Sequence, residues 1–576
     1  MSHKHRTENW NTNLGVVLAV AGSAVGFGNF LRFPGLAAQY GGGAFMIAYL
    51  CAFLLLGIPL SWVEWAVGRR GGTLKAHSTP AIFHRISGHG IWKYMGIMGV
   101  IAPLAIAMYY ISLEGWTLGY MWHTMVGDLN LSTSDEFGNF FANYVGLAGG
   151  DGSVFNNNTS TLIFFTLTIL ANFYVIYRGI SKGIEAFCKW SMPVLLITAI
   201  IILVRVLTMG TPDAAHPNRN VNEGLGYMWN PDKVVLVADG KTLDMVPASA
   251  TPQQKKALIA EVQAANPGKK VEAQEISLIQ GLLNPEMWIA AAGQVFFSLS
   301  VGFGTVCTYA SYVRRRKDIA LSAFSANITN AVTEVGIAGM MIIPAAVAFL
   351  GVIAAAGAGT FGLGFNVLPQ VFASMPGGQI FGTLFFGLLF VAAITSAISM
   401  LQPAVAFLEE YWHLKRVQSV TLVALIMTVG ALIVAWFTNG LMALDTLDFW
   451  IGTMSLYITT GLYLYLFRFV WGTKNGINEL MIGSQMPLPR RLLGFITAWV
   501  TPAILIFIFG SWLYQNIFVK VGTPISNLIE LERGAVFPIA WVILSALFFA
   551  FVIHTSDTGR KKRKHHLEEN HFINND

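Results

Sequence analysis

Stretches rich in apolar side chains recur along the whole chain and alternate with shorter polar connections. Each stretch is about 20 residues long, which is the length that a helix needs to cross the hydrocarbon core of a bilayer. We predict twelve such spans, centred near 14–37, 44–67, 93–122, 161–178, 187–208, 288–311, 322–354, 379–408, 419–437, 446–470, 493–519 and 535–554. The pattern therefore predicts an all-α polytopic membrane protein with twelve transmembrane helices.

Lys and Arg are concentrated in every second connection between the predicted spans. They cluster at 69–93, 314–317 and 560–564, whereas 123–160 and 355–380 contain neither residue type. Because basic loops stay on the cytoplasmic side, both termini are predicted to be cytoplasmic, with the protein in the plasma (inner) membrane. The basic tail is expected to anchor span 12 against anionic lipid.

Composition supports the same class of protein. Hydrophobic residues make up 54% of the 576 residues and charged residues only 11%, whereas soluble domains contain about 25% charged residues. The net charge of +6 reflects the basic inner loops, so the lipid bilayer is the expected partner and nucleic acid is not. The cysteines Cys51, Cys188 and Cys307 lie apart in apolar spans and predict neither a disulfide nor a metal site. No nucleophile–base pair suggests an enzyme.

One short motif occurs in both span 1 and span 6. Residues 25–28 and 301–304 both read Val-Gly-Phe-Gly, and glycine inside a helix costs about 1 kcal/mol relative to alanine. Glycine-interrupted spans at matching places in two halves are typical of a secondary transporter's midplane binding site. In span 1 alone, a glycine-rich packing face explains the motif equally well. Beside the second copy, Ser298 and Ser300 add hydroxyls that packing does not need, which favours a binding site.

An opening of span 1 around the motif would expose two helix ends. The amides of the outer half-helix suit a carboxylate, because the positive end of the helix dipole lies there. The freed carbonyls of the inner half-helix suit a small cation, and Asn29 adds a neutral oxygen ligand of the kind that Na⁺ prefers. The spacing of the two motif copies fits an inverted repeat of spans 1–5 and 6–10, with broken helices 1 and 6 and with spans 11 and 12 left over.

From Trp10 through span 10 the chain resembles the bacterial amino-acid transporter branch of the neurotransmitter:sodium symporter family. The motifs that carry the resemblance are residues 22–34, Gly-Gly-Gly-Ala-Phe at 41–45, residues 294–304, Thr-Ser at 395–396 with Gln-Pro at 402–403, and Asp-Phe-Trp at 448–450. The resemblance implies two sodium sites. The first would contain the Ala24 carbonyl and the side chains of Asn29, Ser298 and Asn330. The second would contain the carbonyls of Gly22, Val25 and Ala392 and the hydroxyls of Thr395 and Ser396.

The resemblance also implies a substrate pocket between the broken spans. Its expected lining is Ala24, Gly28, Ile106, Tyr110, Phe297, Ser298, Ser300, Phe303, Ser396 and Met400. Monoamine-carrying relatives place an aspartate where this chain has Gly26, so a substrate with its own carboxylate, an α-amino acid, is expected. The remaining lining carries no charge, which favours a neutral and mainly hydrophobic amino acid.

Glu64, Glu114 and Glu334 lie inside predicted spans, where a charge costs roughly 2.5–3.5 kcal/mol, and no role is predicted for Glu114. Glu334 follows Asn330 by one helical turn. Chloride-independent bacterial relatives have this glutamate where chloride-dependent ones have a serine, so Glu334 is expected to supply the compensating charge without a chloride requirement. A merely packed glutamate is the alternative. Glu64 is expected to accept hydrogen bonds from unwound amides.

The resemblance further implies gates on both sides of the pocket. Arg32 and Asp448 would form the outer gate. On the inner side, Arg6 and Trp10 would close against Glu410. Here the sequence departs from the family pattern, because the family's arginine lies three residues before the tryptophan and its acidic partner is an aspartate.

The outer connection 209–287 is tens of residues longer than in the proteins that the chain resembles. Residues 234–243 predict a β-hairpin with a type I′ turn at 239–240. A polar helix is predicted from Thr251-Pro252 to about Ala265. An extracellular cap and a docking surface for a partner both explain such an insertion.

The predicted function is sodium-coupled import of neutral, mainly hydrophobic L-amino acids by alternating access. The alternative is a sodium-dependent sensor or receptor of the same fold without net transport; no oligomeric state is predicted. The predicted divisions are 1–13 (cytoplasmic segment), 14–208 (first repeat), 209–287 (outer insertion), 288–470 (second repeat), 471–554 (spans 11 and 12) and 555–576 (basic tail).

Overall fold

The computed structural model of the chain is mostly helical. It describes residues 10–147, 149–212, 216, 219–238, 241–246, 250–519 and 521–573. Within these residues, nine continuous helices are long and apolar enough to cross a membrane. They are Gly43–Thr73, Ile91–Val126, Thr159–Tyr177, Ile180–Leu207, Ile319–Leu350, Gly378–Tyr411, Arg416–Trp436, Arg490–Val519 and Arg533–Thr558. These helices are spans 2, 3, 4, 5, 7, 8, 9, 11 and 12.

The other three spans are interrupted or more polar. Span 1 consists of Leu14–Ala24 and Gly28–Gln39, which are bent by 48° relative to each other. Span 6 consists of Pro285–Ser298 and Thr305–Ser311. Span 10 covers 442–470 as consecutive α-helical and π-helical turns. The prediction of twelve spans with breaks in the first and the sixth is therefore confirmed.

The packing of the spans follows a twofold rule. Span 1 packs on span 7, and span 6 packs on span 2. If spans 1–5 are exchanged with spans 6–10 in order, span 1 becomes span 6 and span 7 becomes span 2, so the first pair is converted into the second. Spans 3 and 8 pack against each other, as do spans 4 and 9, and the same exchange maps each of these pairs onto itself. This arrangement is the predicted inverted repeat, with spans 11 and 12 outside it.

Burial separates central spans from peripheral ones. In the most apolar window of span 3, 94% of the residues are buried, compared with 33% in spans 5, 11 and 12. Large apolar side chains such as Leu170, Ile506 and Phe507 are exposed on the outside of the bundle. A surface of this kind is expected where lipid, and not water, surrounds the protein.

Shorter helices occupy the connections. They are Thr79–Ser87, Ser134–Val145, Ser153–Asn157, Val352–Gly357, Gly359–Gly362, Leu368–Ser374, Thr473–Met481 and Thr523–Ile529. Helix Ser134–Val145 illustrates why they begin where they do, since Thr133 and Glu136 form a reciprocal capping box at its start.

The insertion between spans 5 and 6 forms a small α/β unit. Helix Val221–Trp229 comes first, followed by strands β1 (Lys233–Ala238) and β2 (Lys241–Val246), helix Pro252–Ala265 and strand β3 (Glu272–Ile276). The sheet is antiparallel in the order β2-β1-β3. The turn at 239–240 lies outside the described residues. The sequence analysis did not identify the third strand.

This unit has an apolar core of its own. Leu236 and Val246 of the sheet are buried together with Leu258 and Val262 of helix Pro252–Ala265. The core is separate from the main hydrophobic core of the spans. The insertion is therefore a small folded cap and not an extended loop.

Candidate substrate and ion site

The first break interrupts span 1 after Ala24. Val25 leaves the helical conformation, with ψ at 102°, and a π-helical turn, Gly28–Arg32, resumes the span. The Gly26 amide donates to Oδ1 of Asn29 at 2.9 Å. The side chain of the next turn thus satisfies an amide that the break leaves free.

The second break interrupts span 6 after Ser298 and has a different backbone. Ser300, Gly302 and Gly304 have φ angles of +53°, +88° and +75°. Glycine adopts this left-handed region without cost, whereas a side chain there is strained by about 1–2 kcal/mol. The Gly302 amide donates to the buried carboxylate of Glu64, which is the contact expected for Glu64.

Close contacts explain the glycines at both breaks. A Cβ atom on Gly26 would lie 2.7 Å from both the Ser396 and the Tyr110 hydroxyl oxygens. A Cβ atom on Gly302 would lie 2.6 Å from Cδ1 of Leu456. The first glycine is required by its neighbours alone, and the second by its neighbours and its backbone conformation.

A small cavity of about 20 Å³ lies between the two breaks, so the side chains around it are closely packed in this conformation. Its lining comprises all ten predicted substrate-binding residues and two more: Ser23, Ala24, Gly26, Gly28, Ile106, Tyr110, Phe297, Ser298, Ser300, Phe303, Ser396 and Met400. None of these residues is ionised at neutral pH. The structure thus brings together residues from spans 1, 3, 6 and 8.

The side chains predicted for the first sodium site form one hydrogen-bonded chain. Nδ2 of Asn29 donates to Oδ1 of Asn330 at 2.8 Å, and Nδ2 of Asn330 donates to Oγ of Ser298 at 3.1 Å. All three side chains are buried. Each oxygen keeps a further lone pair, so the group offers hard, neutral ligands of the kind suited to Na⁺.

Glu334 continues this chain of polar groups. Its carboxylate accepts a hydrogen bond from Ser298 at 3.2 Å, and it also accepts hydrogen bonds from Tyr49 and Gln294. Gln294 donates in addition to the Gly28 carbonyl at 2.8 Å. Among the described residues, no Lys or Arg lies within ion-pair distance of Glu334. The carboxylate is therefore buried among hydrogen-bond donors, and no Lys or Arg of the described residues is in direct contact with it.

Four of the residues predicted for the second sodium site also lie together. Oγ of Ser396 donates to the carbonyls of Gly22 and Ala392 at 3.3 and 3.2 Å, and Oγ1 of Thr395 donates to the Ala392 carbonyl at 2.9 Å. The carbonyl of Val25 belongs to the residue at which span 1 unwinds. This cluster joins the inner half of span 1 to span 8.

Two serines of the site were missed in the sequence. Oγ of Ser23 lies 2.7 Å from Oγ of Ser399, and Oγ of Ser300 donates to the Ser23 carbonyl at 2.9 Å. These contacts link both breaks to span 8. A signal for Ser399 was present, because it follows Ser396 by three residues on one helix face.

Comparison with known proteins shows the family to which the chain belongs. The sequence model of the "Sodium:neurotransmitter symporter family" matches residues 7–215 and 269–553, which is most of the chain. The chain belongs to the sodium:neurotransmitter symporter family. It is accordingly a sodium-dependent membrane transporter by family and not an enzyme, and the family suggested by the broken spans is confirmed. The match leaves out 216–268, the part that contains β1, β2 and helix Pro252–Ala265.

Individual relatives agree with this assignment. An uncharacterised sodium-dependent transporter of Haemophilus influenzae is 30% identical over 430 residues, 73% of this chain and 78% of that protein. One of Bacillus subtilis is 30% identical over 411 residues, 71% of this chain and 74% of that protein. The crystal structure of MhsT in complex with L-phenylalanine superposes with a TM-score of 0.68 at 27% identity, covering 88% of this chain and 99% of MhsT.

The outer-gate residues of this symporter are near the cavity but not directly paired. The Arg32 guanidinium lies 4.8 Å from the centre of the Phe297 ring. Asp448 accepts a hydrogen bond from Tyr109 at 2.9 Å. Arg32 and Asp448 form no direct ion pair in the described structure, so their role as a gate stays a prediction.

The inner-gate residues contact other partners than the expected ones. Nε1 of Trp10 donates to the Tyr309 carbonyl at 3.0 Å. Glu410 accepts from the amide and hydroxyl of Ser78 at 3.0 and 2.7 Å, and so caps helix Thr79–Ser87 instead of closing on Trp10. Arg6 lies outside the described residues.

A different carboxylate holds the inner end of span 1. Glu185 accepts hydrogen bonds from the amides of Asn11 and Thr12 at 2.9 and 3.2 Å and from the Thr12 hydroxyl at 3.0 Å. Glu185 is buried in the π-helical start of span 5 and pairs with Lys189. No local pattern relates residue 185 to residues 11 and 12, so this contact was not predicted from the sequence.

Proposed function

We propose that this symporter imports neutral, mainly hydrophobic L-amino acids together with Na⁺, by alternating access and without a chloride requirement. We place two sodium ions at the two polar clusters and the substrate in the cavity between the breaks. The plasma (inner) membrane, with both termini in the cytoplasm, is proposed from the distribution of Lys and Arg.

The observation that carries the proposal is the environment of Glu334. A buried carboxylate without a counterion is destabilised by several kcal/mol, and hydrogen bonds from Tyr49, Gln294 and Ser298 offset only part of this. A sodium ion beside Asn29, Ser298 and Asn330 would supply the missing positive charge. Because the negative charge is part of the chain, no chloride ion is required to balance Na⁺.

The cavity supports an amino acid as the second cargo. In this proposal the substrate carboxylate would meet amides at the break in span 1 and the hydroxyl of Tyr110, and its ammonium would meet carbonyls and hydroxyls of the serines that line the cavity. MhsT, which has the same fold, was crystallised with L-phenylalanine. Since no ionised side chain lines the cavity, a neutral side chain is favoured.

Reconstituted vesicles test the proposal. Uptake of labelled leucine or alanine is expected to follow an inward Na⁺ gradient and to persist when gluconate replaces chloride. The variant Glu334→Ser is expected to lose this independence, because a mobile anion must then supply the charge. Wild-type uptake that requires chloride would contradict the role of Glu334, and sodium-dependent binding without accumulation would favour the sensor.

A further inference from the structure

The insertion packs on one end of spans 1, 2 and 7. Helix Val221–Trp229 packs against the outer part of span 7, Met340–Leu350, and against the start of span 2. The packing is close, because a Cβ atom on Gly224 would lie only 2.4 Å from the Cα atom of Pro344. The insertion is thus seated on spans 2 and 7 by backbone contact.

Two side chains of the insertion hold the end of span 1. The outer half-helix of span 1 ends at Gln39. The Tyr227 hydroxyl donates to the Ala38 carbonyl, and Nζ of Lys233 donates to the Gly41 carbonyl. Lys233 also donates to the Tyr227 carbonyl at 2.7 Å and lies 3.6 Å from the centre of the Tyr227 ring.

These contacts satisfy groups that a helix end leaves free. The last carbonyls of a helix lack intrahelical donors, and Ala38, which accepts from Tyr227, belongs to the last turn of the half-helix, whereas Gly41 lies in the turn that follows it. Gly41 and Gly42 follow with positive φ angles, so the chain turns away directly after the half-helix. Tyr227 therefore caps the half-helix and Lys233 holds the turn directly after it, so that the insertion supplies a two-residue C-terminal cap.

We propose that Lys233 and Tyr227 are positioning residues for sodium binding, an inference that rests on the first sodium site of the proposed function. They fix the outer half-helix of span 1 against spans 2 and 7. That half-helix carries Asn29, whose amide contacts Asn330 of span 7 at 2.8 Å. Loosening the cap would allow the half-helix to shift and would separate ligands that must converge on one ion.

The surroundings of Lys233 make its role measurable. The charged residues Glu223, Asp232, Lys255 and Glu275 line the same cleft, but none of the acidic ones lies within ion-pair distance of Lys233 in the described structure. Burial lowers the pKa of Lys233 from 10.5 to about 7. A neutral amine still has two N–H donors for the two carbonyls.

The capped arrangement of Lys233 is expected to become more stable as pH rises. In the capped arrangement Lys233 loses its proton near pH 7, whereas a solvent-exposed lysine keeps it until about pH 10.4. Between these values the capped arrangement binds fewer protons, so rising pH favours it. Below about pH 7 both arrangements are protonated and the lysine contributes no pH dependence.

Direct measurement of ²²Na⁺ binding to the purified full-length protein tests the role of Lys233 and Tyr227 independently of which amino acid is transported. Lys233→Met is expected to weaken Na⁺ binding at pH 7.5 by about fivefold, because the hydrogen bonds of Lys233 to the Gly41 and Tyr227 carbonyls are lost. It should also remove the part of the wild-type pH profile in which affinity rises between pH 7 and 9.5. Lys233→Arg keeps N–H donors but cannot lose its proton, so it is expected to bind Na⁺ more weakly than the wild type at pH 9.5 and to show no such rise.

Two further variants complete the test. Lys256→Met makes the same charge change at an exposed position of the insertion and is expected to bind Na⁺ like the wild type. Tyr227→Phe keeps the ring and removes only the hydroxyl, and is expected to weaken binding even if Lys233→Met fails to fold. Unchanged affinity and pH profile in folded Lys233→Met, or unchanged affinity in Tyr227→Phe, would overturn the proposal. Failure of amino-acid uptake with intact Na⁺ binding would instead contradict the proposed function.

Discussion

The two breaks of this symporter contain the same four residues but different backbones. In span 1, Val-Gly-Phe-Gly opens the helix without any left-handed residue and passes into a π-helical turn. In span 6, both glycines of the motif and the preceding Ser300 have positive φ angles. The motif permits a helix to open, but it does not determine how.

The partners of the freed amides account for the difference. In span 1 the Gly26 amide finds an acceptor one turn away, in the side chain of Asn29. In span 6 the Gly302 amide finds its acceptor on another span, in Glu64. A local acceptor allows a short break, whereas a distant one is reached only by a longer unwound segment.

The largest effect is expected for Gly302→Ala. An alanine there would combine about 1–2 kcal/mol of left-handed strain with a collision against the Leu456 side chain. We expect a much lower yield of folded protein and a melting temperature several degrees lower, measured by size-exclusion chromatography and thermal unfolding in detergent. Gly461→Ala is the control, because its Cβ atom would meet open space. Equal stability of the two variants would contradict the strained second break.

A smaller loss of stability is expected for Glu64→Leu. The buried Gly302 amide would lose its acceptor, which costs about 1–3 kcal/mol. Glu64→Gln keeps a carbonyl oxygen of the same reach and should unfold close to the wild-type temperature. If Gln were as harmful as Leu, charge and not the hydrogen bond would be the important property of Glu64.

Gly26→Ala is expected to affect binding more than folding. No positive φ is required there, and the added methyl group would displace the ends of two side chains, those of Tyr110 and Ser396. We expect normal yield but Na⁺ and amino-acid affinities reduced by about tenfold, a cost typical of overpacking. A collapse in yield like that of Gly302→Ala would show that the breaks do not differ as described.

The smallest effect is expected for Ser399→Ala. It removes the hydroxyl partner of Ser23 and so weakens the link between the first break and span 8. One neutral hydrogen bond contributes about 0.5–1.5 kcal/mol, so amino-acid affinity should fall by no more than about tenfold while yield is unchanged. Binding assays with wild type and Ser399→Ala side by side would measure this; an identical affinity would leave Ser399 outside the functional site.

Much of the fold was readable because its causes are local. Apolar length predicted the spans, and Gly26 and Gly302 marked where spans 1 and 6 open. In the insertion, the residues around the turn sequence after Val237 form the two strands of a hairpin. A helix begins at Pro252, directly after Thr251. Strand β3 was missed, because its residues are largely exposed and carry charges, so that only pairing with β1 makes them a strand.

The inner gate stays a prediction, and its surroundings show contacts that the sequence did not indicate. Glu410 lies at the end of span 8 as expected, yet its carboxylate caps helix Thr79–Ser87. Glu185 holds the inner end of span 1 instead. A carboxylate binds whichever donors the packing brings near, and those donors lie far away in the sequence.

The sequence by itself determined that this chain crosses a membrane twelve times and opens two of its helices, because bilayer thickness and glycine's lack of a side chain act on consecutive residues. Only the tertiary structure decided how each helix opens, which carboxylate accepts hydrogen bonds from which amides, and where the insertion contacts span 1. These features depend on hydrogen-bond partners from distant segments, and a buried donor or acceptor must find such a partner wherever the fold provides one.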